Sequence, residues 1–165
     1  MEKACRQQRA FRNLDAIQSF LVFFEASEYA EARQAITLLE NNGKQVTAFG
    51  YVRKGDATNY TAAPYRMLYP KTDYNFMGYP SGKVIRALRA VACDAILDLT
   101  LKENLTIACL SSSLPHPFRA GLKKNGIPSY DLSISLDDES LKKQTVTVTY
   151  LSEQIIHYLQ TIRME

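Results

Sequence analysis

The sequence predicts an α/β fold: a three-layer, Rossmann-like sandwich with a mainly parallel sheet of about five to six strands and helices on both faces. Three observations predict it. "SFLVFF" at 19–24 is apolar throughout, with β-branched and aromatic residues, as in a strand buried on both faces. A helical stretch, "EYAEARQAITLLENNG", follows it and leads into a second strand, "KQVTAFGYV" at 44–52, the order of a βαβ unit. Strand and helix patterns then keep alternating along the chain.

Each element has its own local reason. Asn13 is a candidate N-cap for a short turn over "LDAIQ". In the first helix Ala32, Ala35, Ile36, Leu38 and Leu39 share a face, and Asn42-Gly43 is a stop signal. Residues 53–80 read as irregular and tyrosine-rich, with a short third strand near "DYNFM". "SGKVIRALRAVAC" predicts a helix with Val84, Ile85, Leu88, Val91 and Ala92 inward. "DAILDLT" at 94–100 is a buried strand, "KENLTIACLSSS" a short helix, and "HPFRAGL" holds a brief fifth strand. "SYDLSISL" at 129–136 alternates apolar and polar residues, which suits a strand nearer the edge. "KQTVTVT" at 143–149 reads either as a strand or as an extension of the closing amphipathic helix, "TYLSEQIIHYLQTI". The expected strand order is 3-2-1-4-5, and the expected ligand crevice lies beyond the carboxyl ends of strands one and four, at 25–28 and 98–104.

Composition narrows the chemistry. Hydrophobic residues make up 46% and charged residues 22%, as in an ordinary globular domain. We expect a basic N-terminal arm over 1–12 and one Rossmann-like domain over 13–165. The arm carries Lys3, Arg6, Arg9 and Arg12 against Glu2, while the whole chain carries +3. It is a candidate contact for RNA, anionic lipid or an acidic partner, or else a solvated terminus. No apolar run approaches a membrane span, and the N-terminus lacks the apolar core of a secretory signal. Cys5, Cys93 and Cys109 form no CxxC, and His116 and His157 have no ligand spacing, so no metal site is expected. Odd, scattered cysteines suit a reducing, cytoplasmic setting.

Motif checks remove several activities. "FMGYPSGKVIRAL" at 76–88 looks like a phosphate loop, but Met77 stands where the first glycine belongs and Val84 where the Mg²⁺-binding hydroxyl belongs. Ser81 reads better as a helix cap. The first strand–helix turn, "FFEASEYAEA", has no glycine, which disfavours a dinucleotide cofactor. Glu25 and Glu28 there suit the helix dipole. No GxSxG or SxxK occurs, so serine hydrolysis has no support. Cys93 and Cys109 read as core residues.

"ILDLTLKEN" draws the most attention. Asp98 ends a buried strand at the expected ligand edge, with Thr100, Glu103 and Asn104 following within a turn. A carboxylate there could act as a base or bind sugar hydroxyls or Mg²⁺. Equally, Asp98 or Thr100 could cap the next helix, with Thr100 and Glu103 forming a capping box. His116 and Arg119 in "LPHPFRAG" are candidate anion ligands, or structural loop residues. The candidate ligand-binding set is therefore Asp98, Thr100, Glu103, Asn104, His116 and Arg119, with no catalytic residue assigned and no cofactor expected. The tyrosines of the 51–79 segment suit a protein or sugar interface, or a cover for the sheet edge.

Two resemblances add to this reading. "NNGKQVTAFGYV", "NFMGYPSG", "CDAILDLTLKENLTIACLSSS" and "IIHYLQTI" resemble a family of small uncharacterised bacterial α/β proteins over residues 13–162. That resemblance implies a fold and no assigned activity. Within residues 92–121, "DAILDLTLKENLTIACLSSSLPHPFRAG" is similar to the N-terminal Rossmann-like half of heptosyltransferase-type glycosyltransferases. There a strand ending in Asp is followed by a helix and a short strand with a basic residue and Gly, so Asp98 and Arg119-Ala120-Gly121 would correspond. Such enzymes hold the sugar nucleotide largely in a second half, which a partner would have to supply. The expected function is a non-catalytic protein-interaction module, possible as a homodimer. The alternatives are a sugar- or nucleotide-binding protein and an RNA-associated protein acting through the arm.

Overall fold

The computed structural model describes residues 14–91, 93–114, 118–122, 124, 130–134 and 147–161. The basic arm, Asn13, Ala92, His116 and all of 135–146 are among the residues outside them.

A six-stranded, all-parallel sheet forms the middle layer, in the order β3-β2-β1-β4-β5-β6. The strands are β1 (Ser19–Glu25), β2 (Gln45–Tyr51), β3 (Arg66–Leu68), β4 (Ala95–Asp98), β5 (Phe118–Leu122) and β6 (Leu132–Ile134). The helices are α1 (Tyr29–Asn41), α2 (Gly82–Arg89), α3 (Leu105–Ser112) and α4 (Val148–Thr161), with short 3-10 turns at Leu14–Ala16 and Ala26–Glu28.

The central strand explains the layering. Phe20, Val22 and Phe24 of β1 enter one core with Ala32, Ala35, Ile36 and Leu39 of α1 and Leu151, Ile155 and Leu159 of α4. Leu21 and Phe23 enter the other core with Val84 and Leu88 of α2 and Ile107 and Leu110 of α3. Successive side chains of a strand point to opposite faces, so a strand apolar on both parities must be covered twice. At the amino end, the Asp94 carboxylate accepts from the amides of Gln18 (2.8 Å) and Ser19 (3.2 Å), fixing β1 against the start of β4.

Two details correct the sequence expectation, and one decides between its open alternatives. The third strand is Arg66–Leu68, not "DYNFM". Three residues are too few to show alternation, whereas the alternating DYNFM segment forms a turn in which Tyr74 makes isolated bridges to Pro70 and Pro80. The closing helix begins at Val148, so the described end of "KQTVTVT" extends the helix. Leu38 is 45% exposed rather than packed with the α1 core face. Most of the tyrosine-rich segment covers the sheet edge: Tyr65 stands edge-on to Phe24, Tyr51 stacks on Tyr74, and Tyr74 donates to the Val52 carbonyl at 2.6 Å.

Candidate functional site

Two features stand at the carboxyl end of the sheet on the α2/α3 layer. The first is centred on Asp98. This residue ends β4, pairs in register with Phe23 and Gly121, and is 1% exposed. Its Oδ1 accepts from the Thr100 amide (2.9 Å) and the Thr100 hydroxyl (2.5 Å). Its Oδ2 accepts from the Tyr130 hydroxyl (2.5 Å) and the Lys124 ammonium (3.2 Å). Lys124 also donates to Thr100 Oγ1 at 2.7 Å. A carboxylate has about four lone-pair positions, and here each meets a donor. Burial, then the neighbouring Asp98 charge, push the Tyr130 hydroxyl well above its ordinary pKa.

A glycine makes this packing possible. A Cβ on Gly121 would lie 2.6 Å and 2.8 Å from Tyr130 ring carbons and 3.2 Å from the Asp98 Cβ. Only a residue without a side chain lets the ring lie against β5 and reach the carboxylate.

The sequence candidates separate around this cluster. Asp98 and Thr100 are joined in it. Asn104 caps α3, its Oδ1 accepting from the Ile107 amide at 3.0 Å. The cap is therefore Asn104 rather than Asp98, Thr100 or a Thr100–Glu103 box; Glu103 is exposed and makes no hydrogen bond or ion pair among the described residues. Arg119 pairs in register with Ile96, two residues before the Asp98 level. Its guanidinium donates to the Ser111 (2.9 Å) and Leu114 (2.7 Å) carbonyls, satisfying the end of α3. His116 lies outside the described residues. Sequence reasoning missed Lys124 and Tyr130, which come from later segments and meet Asp98 only through sheet order, and it named Gly121 only through the glycosyltransferase resemblance. Across the sheet end, Glu25 pairs with Arg53 at 2.5 Å and makes no side-chain bond to the 3-10 turn that it precedes.

The second feature grows from the stretch that looked like a phosphate loop. Ser81 caps α2, its Oγ accepting from the Val84 amide at 3.3 Å, and Lys83 is exposed. The loop before it is braced internally. Asn75 Oδ1 accepts from the Met77 and Tyr79 amides, both at 3.0 Å, and Gly78 turns the chain at φ +88°. The Thr106 hydroxyl of α3 donates to the Gly78 carbonyl at 2.6 Å. Held in this way, the loop presents Phe76 at 91% exposure, with Met77 at 54%, Tyr79 at 49% and Leu105 of α3 at 50%. Leu105 lies under the turn, 3.5 Å from where a Gly78 Cβ would stand.

Other surfaces offer less. A groove of about 560 Å³ runs along the outer face of α1 from Tyr29 to Asn41, lined by Arg33, Gln34, Thr37 and Leu38 between them, on the layer opposite Asp98. Among the described residues no cluster of His, Cys, Asp and Glu has metal-binding composition, and no helix is long and apolar enough to cross a membrane. No curated protein and no solved structure matches the chain. A family model does match, over residues 1–162, and by that match the chain belongs to DUF6913, a family of unknown function.

Proposed function

We propose that this protein is a non-catalytic docking module whose contact element is the tip formed by Phe76, Met77, Tyr79 and Leu105. One observation carries the reading: three large apolar side chains stand in solvent on a loop braced by hydrogen bonds of its own and one from α3, with exposed Leu105 of α3 beside it. Scattered apolar residues are ordinary, but a clustered and braced set marks an interaction surface. Burying a Phe side chain contributes about 1.5–3 kcal/mol, and a preformed loop loses little entropy on docking. The sugar- or nucleotide-binding alternative would use Asp98, and a ligand there would have to displace one of its four donors.

Site-specific photocrosslinking tests this. With p-benzoylphenylalanine in place of Phe76, irradiation in the native cells should give one discrete protein adduct. The same group in place of the exposed Thr37 on α1 should give none. If position 76 yields no more adduct than position 37, the docking reading fails.

A further inference from the structure

We infer that the partner is an acidic polypeptide segment, with an apolar residue seated on the tip and carboxylates lying along α2. This rests on the docking reading above. Between residues 57 and 93 the chain holds Arg66, Lys71, Lys83, Arg86 and Arg89 against one acid, Asp73, a net +4 where the whole chain carries +3. This local excess beside the tip is hidden in the total, because the segments outside it and outside the basic arm carry a net negative charge. All five cations are exposed, whereas Asp73 is 8% exposed and turned inward, its Oδ2 accepting from the Tyr69 amide. None of the five makes an ion pair among the described residues. Arg66 lies over the Phe49 ring, on the same layer as α2.

The arrangement selects among occupants. A second copy in a two-fold contact would set these cations against themselves, which costs energy. Single-stranded nucleic acid would stack on Phe76 and Tyr79, but Met77 and Leu105 gain only from an apolar pocket. A membrane plane resting on the tip would engage charges ringing it. Lys83, Arg86 and Arg89 instead run away from it along α2, over about 9 Å at 1.5 Å per residue. An extended segment can follow that line, with carboxylates meeting cations and an apolar anchor meeting Phe76.

The test uses the full chain and four fluorescein-labelled probes: a 16-residue peptide of Leu, Phe, Asp and Glu; its Asn/Gln counterpart; a 16-nucleotide oligouridine; and phosphatidylserine vesicles. We expect anisotropy to show binding of the acidic peptide that weakens at least tenfold between 50 and 300 mM NaCl. Lys83→Glu with Arg86→Glu should weaken it at least tenfold with an unchanged melting temperature; Arg33→Glu on α1 should not. Equal binding of the Asn/Gln peptide, or indifference to the α2 charge reversal, overturns the acidic partner and leaves the tip reading standing. Stronger binding of oligouridine or vesicles, or no binding by any probe, also overturns it. Acidic-peptide binding that survives Phe76→Ser with Met77→Ser refutes the tip itself.

Discussion

Replacing Lys124 by Met tests whether the Asp98 cluster is a structural clasp. The Lys124 side chain is 4% exposed and that of Asp98 2%, so the pair is shielded from solvent screening. Lys124→Met removes the donors to Asp98 Oδ2 and to Thr100 Oγ1 and leaves the carboxylate buried. Breaking a buried pair from one side costs about 3–5 kcal/mol. Three donors remain on Asp98, from Thr100 and Tyr130, which places the expectation at the lower end, about 3 kcal/mol. With a urea m-value of about 2 kcal/mol/M, the midpoint should fall by roughly 1.5 M. Urea unfolding followed by circular dichroism measures it. Adding Asp98→Asn should restore more than half of the loss, because the uncompensated charge is gone and an amide can still accept from Thr100 while donating to Tyr130. A loss below about 1 kcal/mol, or a double variant as unstable as the sum of the singles, would refute the clasp.

Three further outcomes follow from the same geometry. Gly121→Ala should cost about 1–3 kcal/mol by pushing the Tyr130 ring off β5; in a Tyr130→Ala background that cost should nearly vanish, and an equal cost in both backgrounds would point elsewhere. Asn104→Ala should cost about 1 kcal/mol through loss of the α3 cap, whereas Glu103→Ala should change thermal stability by less than about 0.5 kcal/mol, and the reverse order would restore the capping box. Stability should fall as pH rises above about 10. The unfolded Tyr130 releases its proton there while the folded one keeps it, so the unfolded state binds fewer protons and gains ground; Tyr130→Phe should flatten that decline in pH-dependent urea titrations.

The parts legible in the sequence were those with dense local signals. β1 showed both apolar parities at once, Ser81 showed a cap before an amphipathic run, and the strand–helix alternation implied the order β3-β2-β1-β4-β5 that the sheet adopts. β3 escaped because three residues carry no period, and the neighbouring DYNFM segment is longer and alternates polar with aromatic residues although it forms a turn. Asp98 was visible as a carboxylate ending a buried strand. Its partners were not, because nothing local distinguishes Lys124 from Lys123 or Tyr130 from the other tyrosines.

By itself, then, the sequence determined the layers: periodicity decides which faces must be buried, and burial of both faces of β1 demands helices on both sides. Tertiary structure decided what the conspicuous residues do. It saturated Asp98 with donors from Thr100 and from Lys124 and Tyr130 beyond β5, turned Arg119 to the end of α3, and used Asn104 rather than Thr100 as a cap. It also made the supposed phosphate loop a braced apolar tip, with its cations exposed and its one acid folded under. Hydrogen-bond saturation and exposure depend on residues distant in the chain, so no local pattern could report them.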